Sequence, residues 1–256
     1  MSRIATSFSP GHKALIPYVT AGYPSIEATL EVVPRLANLG CDIVELGIPF
    51  SDPLTDGATI QRASFQALHN GATPEICLEV AGQIREKTTV PLVFMSYYNP
   101  VFSYGLERFV TSCAAAGIDG LIIPDLPPEE GAELETLAAT EDIDLVYLLA
   151  PTSTPQRVKV VARHSRGFIY LVSVAGVTGA RNELPKSLET FVRRVRAAAK
   201  QPLCVGFGIS TPEHAREVAQ YADGVIVGSR LVQLMECENW KKDVGQFVGD
   251  LRKALG

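Results

Sequence analysis

Eight short runs rich in Val, Ile and Leu punctuate this chain, at 15–20, 43–47, 92–96, 120–124, 145–149, 168–173, 203–206 and 224–227. They are nearly continuous rather than alternating, the pattern of strands buried on both faces of a parallel sheet. Helical patterns fill the gaps. Ile60, Ala63, Ser64, Ala67 and Leu68 share one face, and Asn70-Gly71 supplies a stop. Thr73-Pro74, Thr154-Pro155 and Thr211-Pro212 each open a helix, with Thr as N-cap and Pro in the first turn. Further stripes run through Leu106, Phe109, Val110 and Cys113, through 129–139, through Leu188, Phe191, Val192 and Val195, and through Val244, Val248 and Leu251. Strand starts fall roughly one βαβ unit of about 30 residues apart. Eight strands alternating with helices over 256 residues predict an α/β fold, a single (β/α)8 TIM barrel with extra helices. A doubly wound sheet is the alternative, and eight regular units favour closure. No linker or low-complexity segment interrupts the pattern, so 1–256 is expected to be one domain.

The largest insertion lies between the second and third strands, at Ile43 to Gln61, IVELGIPFSDPLTDGATIQ. Glu45 sits inside the strand, where a carboxylate without a partner costs several kcal/mol, roughly. Pro49, Pro53 and Gly57 then force a loop that carries Asp52 and Asp56. Active sites of (β/α)8 barrels form at the carboxyl ends of the strands. Strand ends here offer Tyr18 and Thr20, Glu45, Tyr97 to Asn99, Asp125 and Tyr170. The last three strands end in the glycine-rich SVAGVTGAR, GFGIS and VGSR. Glycines let backbone N–H groups approach an anion, Thr178 and Ser229 add hydroxyls, and a helix opens at Gly228-Ser229. A phosphate site is expected there. The acids and tyrosines at the other side of the mouth predict a phosphorylated substrate with a flat apolar part. Two carboxyls in unlike environments supply general acid and base. Glu45, on a buried strand, is expected to have a raised pKa, and Asp56, on a mobile loop, to stay ionised. Each also has a plainer reading: Glu45 paired with an inward barrel residue, Asp56 a solvated loop acid. Asp52 suits a turn, bonding the backbone.

Several chemistries fit poorly. The histidines at 12, 69, 164 and 214 are scattered, so no catalytic metal is expected. No lysine ends a strand, which argues against Schiff-base chemistry. No phosphate-loop or dinucleotide fingerprint stands in its required context. Net charge is −5, without a basic patch of the kind nucleic-acid binding needs. The five cysteines have no Cys-x-x-Cys spacing and read as reduced, packed thiols. The N-terminus lacks the apolar run of a signal peptide, and nothing approaches the roughly 20 apolar residues of a membrane span. A cytoplasmic protein without a membrane partner is expected.

The stretch ELGIPFSDPLTDGATIQ resembles the signature of the tryptophan synthase alpha subunit family, usually seen with Ala and Pro where this chain has Thr55 and Ala58. PYVTAGYP at 17–24, MSYYNPVFSYG at 95–105, IPDLPPEE at 123–130, LLAPTS at 148–153, SVAGVTGAR at 173–181, VGFGIS at 205–210 and DGVIVGSRLV at 223–232 extend the resemblance over the chain. It implies a (β/α)8 barrel that cleaves indole-3-glycerol phosphate to indole and glyceraldehyde 3-phosphate by a retro-aldol reaction. It implies that Glu45 protonates the indole ring at C3 and that Asp56 bonds the indole N–H. Glu45 is one group able to shuttle the proton of the glycerol hydroxyl. Tyr18, Ile60, Tyr97 and Tyr170 would surround indole and glycerol chain. Gly179, Gly206, Gly208, Gly228 and Ser229 would hold the phosphate, and Thr178 would meet Asp56 on lid closure. A beta subunit carrying pyridoxal phosphate would receive the indole in an alpha2beta2 heterotetramer, with no cofactor in this chain. Other readings are a stand-alone indole-3-glycerol-phosphate lyase, a sugar-phosphate isomerase barrel, and a non-catalytic barrel that activates a partner.

Overall fold

The computed structural model describes residues 2–173, 184–185, 187–206 and 208–256. The strands are β1 (Ala14–Thr20), β2 (Val44–Gly47), β3 (Leu92–Met95), β4 (Gly120–Ile122), β5 (Asp144–Val146), β6 (Leu148–Leu149), β7 (Ile169–Val172), β8 (Leu203–Gly206) and β9 (Gly224–Val227). All pair in parallel, in the order β5-β4-β3-β2-β1-β9-β8-β7-β6. The fifth expected strand, 145–149, therefore supplies both ends of the sheet. At Tyr147 the backbone N–H turns to the Ser165 hydroxyl at 3.0 Å, while its carbonyl accepts from the Tyr170 N–H at 3.1 Å. The first half of this stretch pairs with β4 and the second with β7, which brings the sheet to the nearly closed barrel the sequence predicts.

The helices are α1 (Ile26–Asn38), α2 (Ala58–His69), α3 (Pro74–Arg85), α4 (Tyr98–Tyr104), α5 (Leu106–Ala115), α6 (Ala132–Thr140), α7 (Pro155–His164), α8 (Leu188–Arg196), α9 (Pro212–Val218), α10 (Ser229–Met235) and α11 (Trp240–Leu255). Three differ from the sequence reading. No helix is expected at α1, whose periodicity is interrupted by Pro34; Ser25 caps it by accepting from the Ala28 N–H. Tyr98 and Asn99, read as a strand end, begin α4, because Asp125 accepts the Tyr98 N–H at 2.9 Å. The helix expected from residue 129 starts at Ala132, since Glu130 and Gly131 donate to Pro127 and Pro128 in turns.

Alternate residues of each strand divide the core. Ile16, Ile43, Val93, Ile122, Val146, Phe168, Cys204 and Ile226 fill the barrel, while Leu15, Val19, Leu46, Phe94 and Leu171 pack beneath the helices. Burial on both faces is why the strands read as unbroken apolar runs. Four of the five cysteines (41, 77, 113 and 204) are buried in these layers, and Cys237 is exposed.

The amino end of the barrel is closed by packing and paired charge. A 3-10 turn, Ile4–Ser7, drops Ile4 fully inside. A Cβ at Gly120 would lie 2.7 Å from it, and one at Gly167 3.0 Å, so glycine makes room for the plug. Three acids then repeat one device. Asp42 accepts the Leu15 N–H at 2.8 Å and pairs with Arg252 at 3.0 Å and His12 at 2.6 Å. Asp119 accepts the Leu92 N–H at 2.8 Å and pairs with Arg85 at 2.8 Å. Asp223 accepts the Leu203 N–H at 2.7 Å and pairs with Arg196.

Candidate functional site

At the carboxyl end of the barrel the inward positions change character. Two residues beyond Ile16 stands Tyr18, two beyond Ile43 stands Glu45, and two beyond Phe168 stands Tyr170. Glu45, Tyr18 and Tyr170 line a single pocket with Asp56, Ile60, Gly208, Gly228 and Ser229. The strand periodicity thus brings residues 18, 45 and 170 together, and α2 returns Ile60 to them.

Glu45 is fully buried, and neither carboxyl oxygen has a hydrogen-bond partner among the described residues. The pairing with an inward barrel residue, entertained from the sequence, is absent among the described residues. Burial pushes the Glu45 carboxyl up to about 8. It is therefore largely protonated at neutral pH, as a general acid requires.

Asp56 is half-buried, and desolvation pushes it up to about 6, opposed by a hydrogen bond from Tyr97. It remains mostly ionised at pH 7, but its environment is less aqueous than a solvated loop implies. Tyr97 lies outside the pocket lining and reaches the loop from below, its ring 5.5 Å from Phe50. Asp52 is exposed and accepts from the Ser51 hydroxyl at 2.5 Å, a neighbouring side chain rather than the expected backbone. The Tyr18 and Tyr170 phenols are pushed above their usual value, first by burial and then by the nearby carboxyls, so they stay neutral.

The glycines serve two purposes. Gly208 adopts a φ of +80°, the left-handed region that a turn of exposed backbone N–H groups uses. Gly206 is ordinary strand; a Cβ there would sit 2.3 Å from the Tyr170 hydroxyl. Likewise a Cβ at Gly47 would sit 2.0 Å from the Tyr18 hydroxyl. These two glycines make space for tyrosines. Thr178 and Gly179 lie outside the described residues. Five lining residues escape the sequence reading: Met95 and Ile226, recoverable by counting two from Val93 and Gly224, Ile209 and Ser210 after β8, and Arg230 in the first turn of α10.

A wider cleft of about 640 Å³ opens beside Leu54 and Thr55, against 123–128, Leu148 and Arg157. The acid in its lining, Asp125, is committed to capping α4. The titratable chemistry belongs to the narrower pocket. Among the described residues no three His, Cys, Asp or Glu side chains are grouped to hold a metal ion, and no helix is long and apolar enough to cross a membrane.

The chain as a whole is similar to known proteins. A tryptophan synthase alpha chain of Dehalococcoides mccartyi is 56% identical over the full length of both chains. One from Geobacter sp. is 53% identical over all of this chain and 98% of its own. Among solved structures, Mycobacterium tuberculosis tryptophan synthase superposes with a TM-score of 0.93 at 38% identity, covering 99% of this chain and 98% of that one. Tryptophan synthase subunit alpha from Legionella pneumophila gives 0.92 at 36% identity, covering 100% and 98%. The family model described as "Tryptophan synthase alpha chain" matches residues 4–253, and the chain belongs to that family.

Proposed function

We propose that this barrel, read as one domain over 1–256, cleaves indole-3-glycerol phosphate to indole and glyceraldehyde 3-phosphate. The observation that carries the reading is Glu45: a buried carboxyl, without a partner among the described residues, protonated near pH 7 and facing a pocket that also holds an ionised Asp56. Glu45 donates its proton to C3 of the indole ring. Asp56 accepts a hydrogen bond from the indole N–H and stabilises the positive charge that protonation creates. The C3–glycerol carbon bond then breaks, its electron pair returning to the ring and neutralising that charge. The glycerol hydroxyl loses its proton to Glu45 as the aldehyde forms, which restores the acid. No net oxidation occurs and no cofactor is consumed.

Tyr18, Ile60 and Tyr170 shape the apolar side of the pocket, and Tyr97 supports Asp56 from beneath. Gly208, Gly228 and Ser229, with Gly179, hold the phosphate, Gly206 leaves room for Tyr170 beside them, and Thr178 meets Asp56 when the mouth closes. Leu54 and Phe102 are large, exposed side chains at the same end of the barrel, where a pyridoxal-phosphate beta subunit would seat to receive indole in an alpha2beta2 assembly. The reading puts this reaction in tryptophan biosynthesis and the chain in the cytoplasm.

The test is indole release by the wild type and Glu45→Gln, each with and without an added beta subunit. Slow wild-type release that accelerates with the partner, with an inactive variant in both settings, is the expected result. A wild type silent in both settings would assign the barrel to another phosphate substrate, and a fully active Glu45→Gln would remove Glu45 from the reaction.

A further inference from the structure

We infer that Thr55 is a positioning residue: its hydroxyl latches the 51–57 loop onto Tyr97 and thereby aims the Asp56 carboxylate into the pocket before any ligand arrives. The inference rests on the reading of Asp56 given above.

Thr55 meets Tyr97 twice. Its backbone N–H donates to the Tyr97 hydroxyl at 3.0 Å, and the two hydroxyls stand 2.8 Å apart. The Tyr97 phenol is also the group that favours the ionised form of the Asp56 carboxyl. A phenol has one proton, and an ionised carboxylate only accepts. Tyr97 therefore gives its proton to Asp56, and the Thr55 hydroxyl donates to Tyr97. The phenol oxygen receives two donors while its proton points at the carboxylate. Such a chain polarises each member and strengthens the terminal bond. The ring beneath is held by Phe50 at 5.5 Å.

The position is informative because Thr55 itself is exposed. A side chain there contributes little to the core, and the signature that this loop resembles carries alanine, which has no hydroxyl to offer. Among the described residues, four titratable groups face Asp56: Tyr97, Tyr18, Tyr170 and Glu45; Arg230 lines the same pocket. The three phenols and Glu45 are neutral in the range where Asp56 titrates. The acid limb of a pH profile of kcat/KM therefore reports Asp56.

The experiment compares Thr55→Ala, Thr55→Ser and Asp56→Asn in indole release from indole-3-glycerol phosphate across pH 5 to 9, with Thr55→Ala repeated in a Tyr97→Phe background. Losing one hydrogen bond in the chain should lower kcat/KM about five-fold. It should also move the acid limb upward by about half a unit, because the ionised carboxylate loses support. Thr55→Ser should restore both, the Tyr97→Phe background should abolish the difference, and the melting temperature should stay put. A Thr55→Ala profile identical to wild type, with Asp56→Asn impaired, would overturn the latch alone. A loss of activity without movement of the limb would also overturn it. If Asp56→Asn behaves as wild type, the reading of Asp56 fails and the latch fails with it.

Discussion

The two ends of the barrel treat carboxylates in opposite ways. At the amino end Asp42, Asp119 and Asp223 each accept a strand N–H and face an arginine. At the carboxyl end Glu45 has neither among the described residues, and Asp56 has a phenol. Members of both sets are at least partly withdrawn from bulk water, so burial alone does not separate them. The difference is compensation: a buried charge met by cations and N–H groups fastens strands, whereas one left unmet holds its proton and becomes reactive. Stability and chemistry are thus kept at opposite ends of the same eight-fold frame.

The contrast is sharpest at Glu45→Gln. Activity should fall about 10²- to 10⁴-fold, the usual span for a positioned acid or base. Stability should move the other way. Because the folded-state pKa of Glu45 is raised to about 8, folding favours the protonated form. Its penalty is absent below the unfolded value near 4.5 and grows as pH rises towards 8, by up to about 1.4 kcal/mol per pH unit. The variant should therefore melt higher than wild type at pH 8 and equally at pH 4.5. An unchanged or lower melting temperature at pH 8 would show that Glu45 is compensated after all.

Asp42→Asn should do the reverse, lowering stability by about 2–3 kcal/mol and leaving kcat alone, since it removes the charge opposite Arg252 and weakens the Leu15 contact. Denaturant unfolding beside steady-state kinetics reads both; a fall in kcat with intact stability would break the division of labour. Next in size, kcat/KM should trace a bell, losing activity as pH drops through about 6, where Asp56 takes up a proton, and as it passes about 8, where Glu45 gives one up. A profile flat between pH 5 and 9 would contradict both assignments. The smallest effect belongs to the exposed pair Lys241–Glu31, where Lys241→Ala should shift stability by no more than about 0.5 kcal/mol.

The barrel was legible because parallel strands buried on both faces leave unbroken apolar runs, and Glu45 stood out within one of them. Strand parity also carried Tyr18 and Tyr170 to the pocket. Other features depend on contacts remote in sequence. Nothing near Tyr147 announces that its neighbours pair with β4 on one side and β7 on the other. Pro34 hides α1, and α4 is fixed by Asp125, 27 residues from its first residue. The Thr55 hydroxyl could be noticed as a departure from a signature, but its partner lies 42 residues away.

Gly206 and Tyr170 carry a consequence for how such a mouth changes over generations. The hydroxyl of one occupies the place where a side chain on the other would begin. Volume at this spot is a joint property of positions 170 and 206, as it is of 18 and 47. Enlargement at 206 and reduction at 170 offset each other, so a lesion at the glycine is open to repair at the tyrosine. Heredity there acts on pairs.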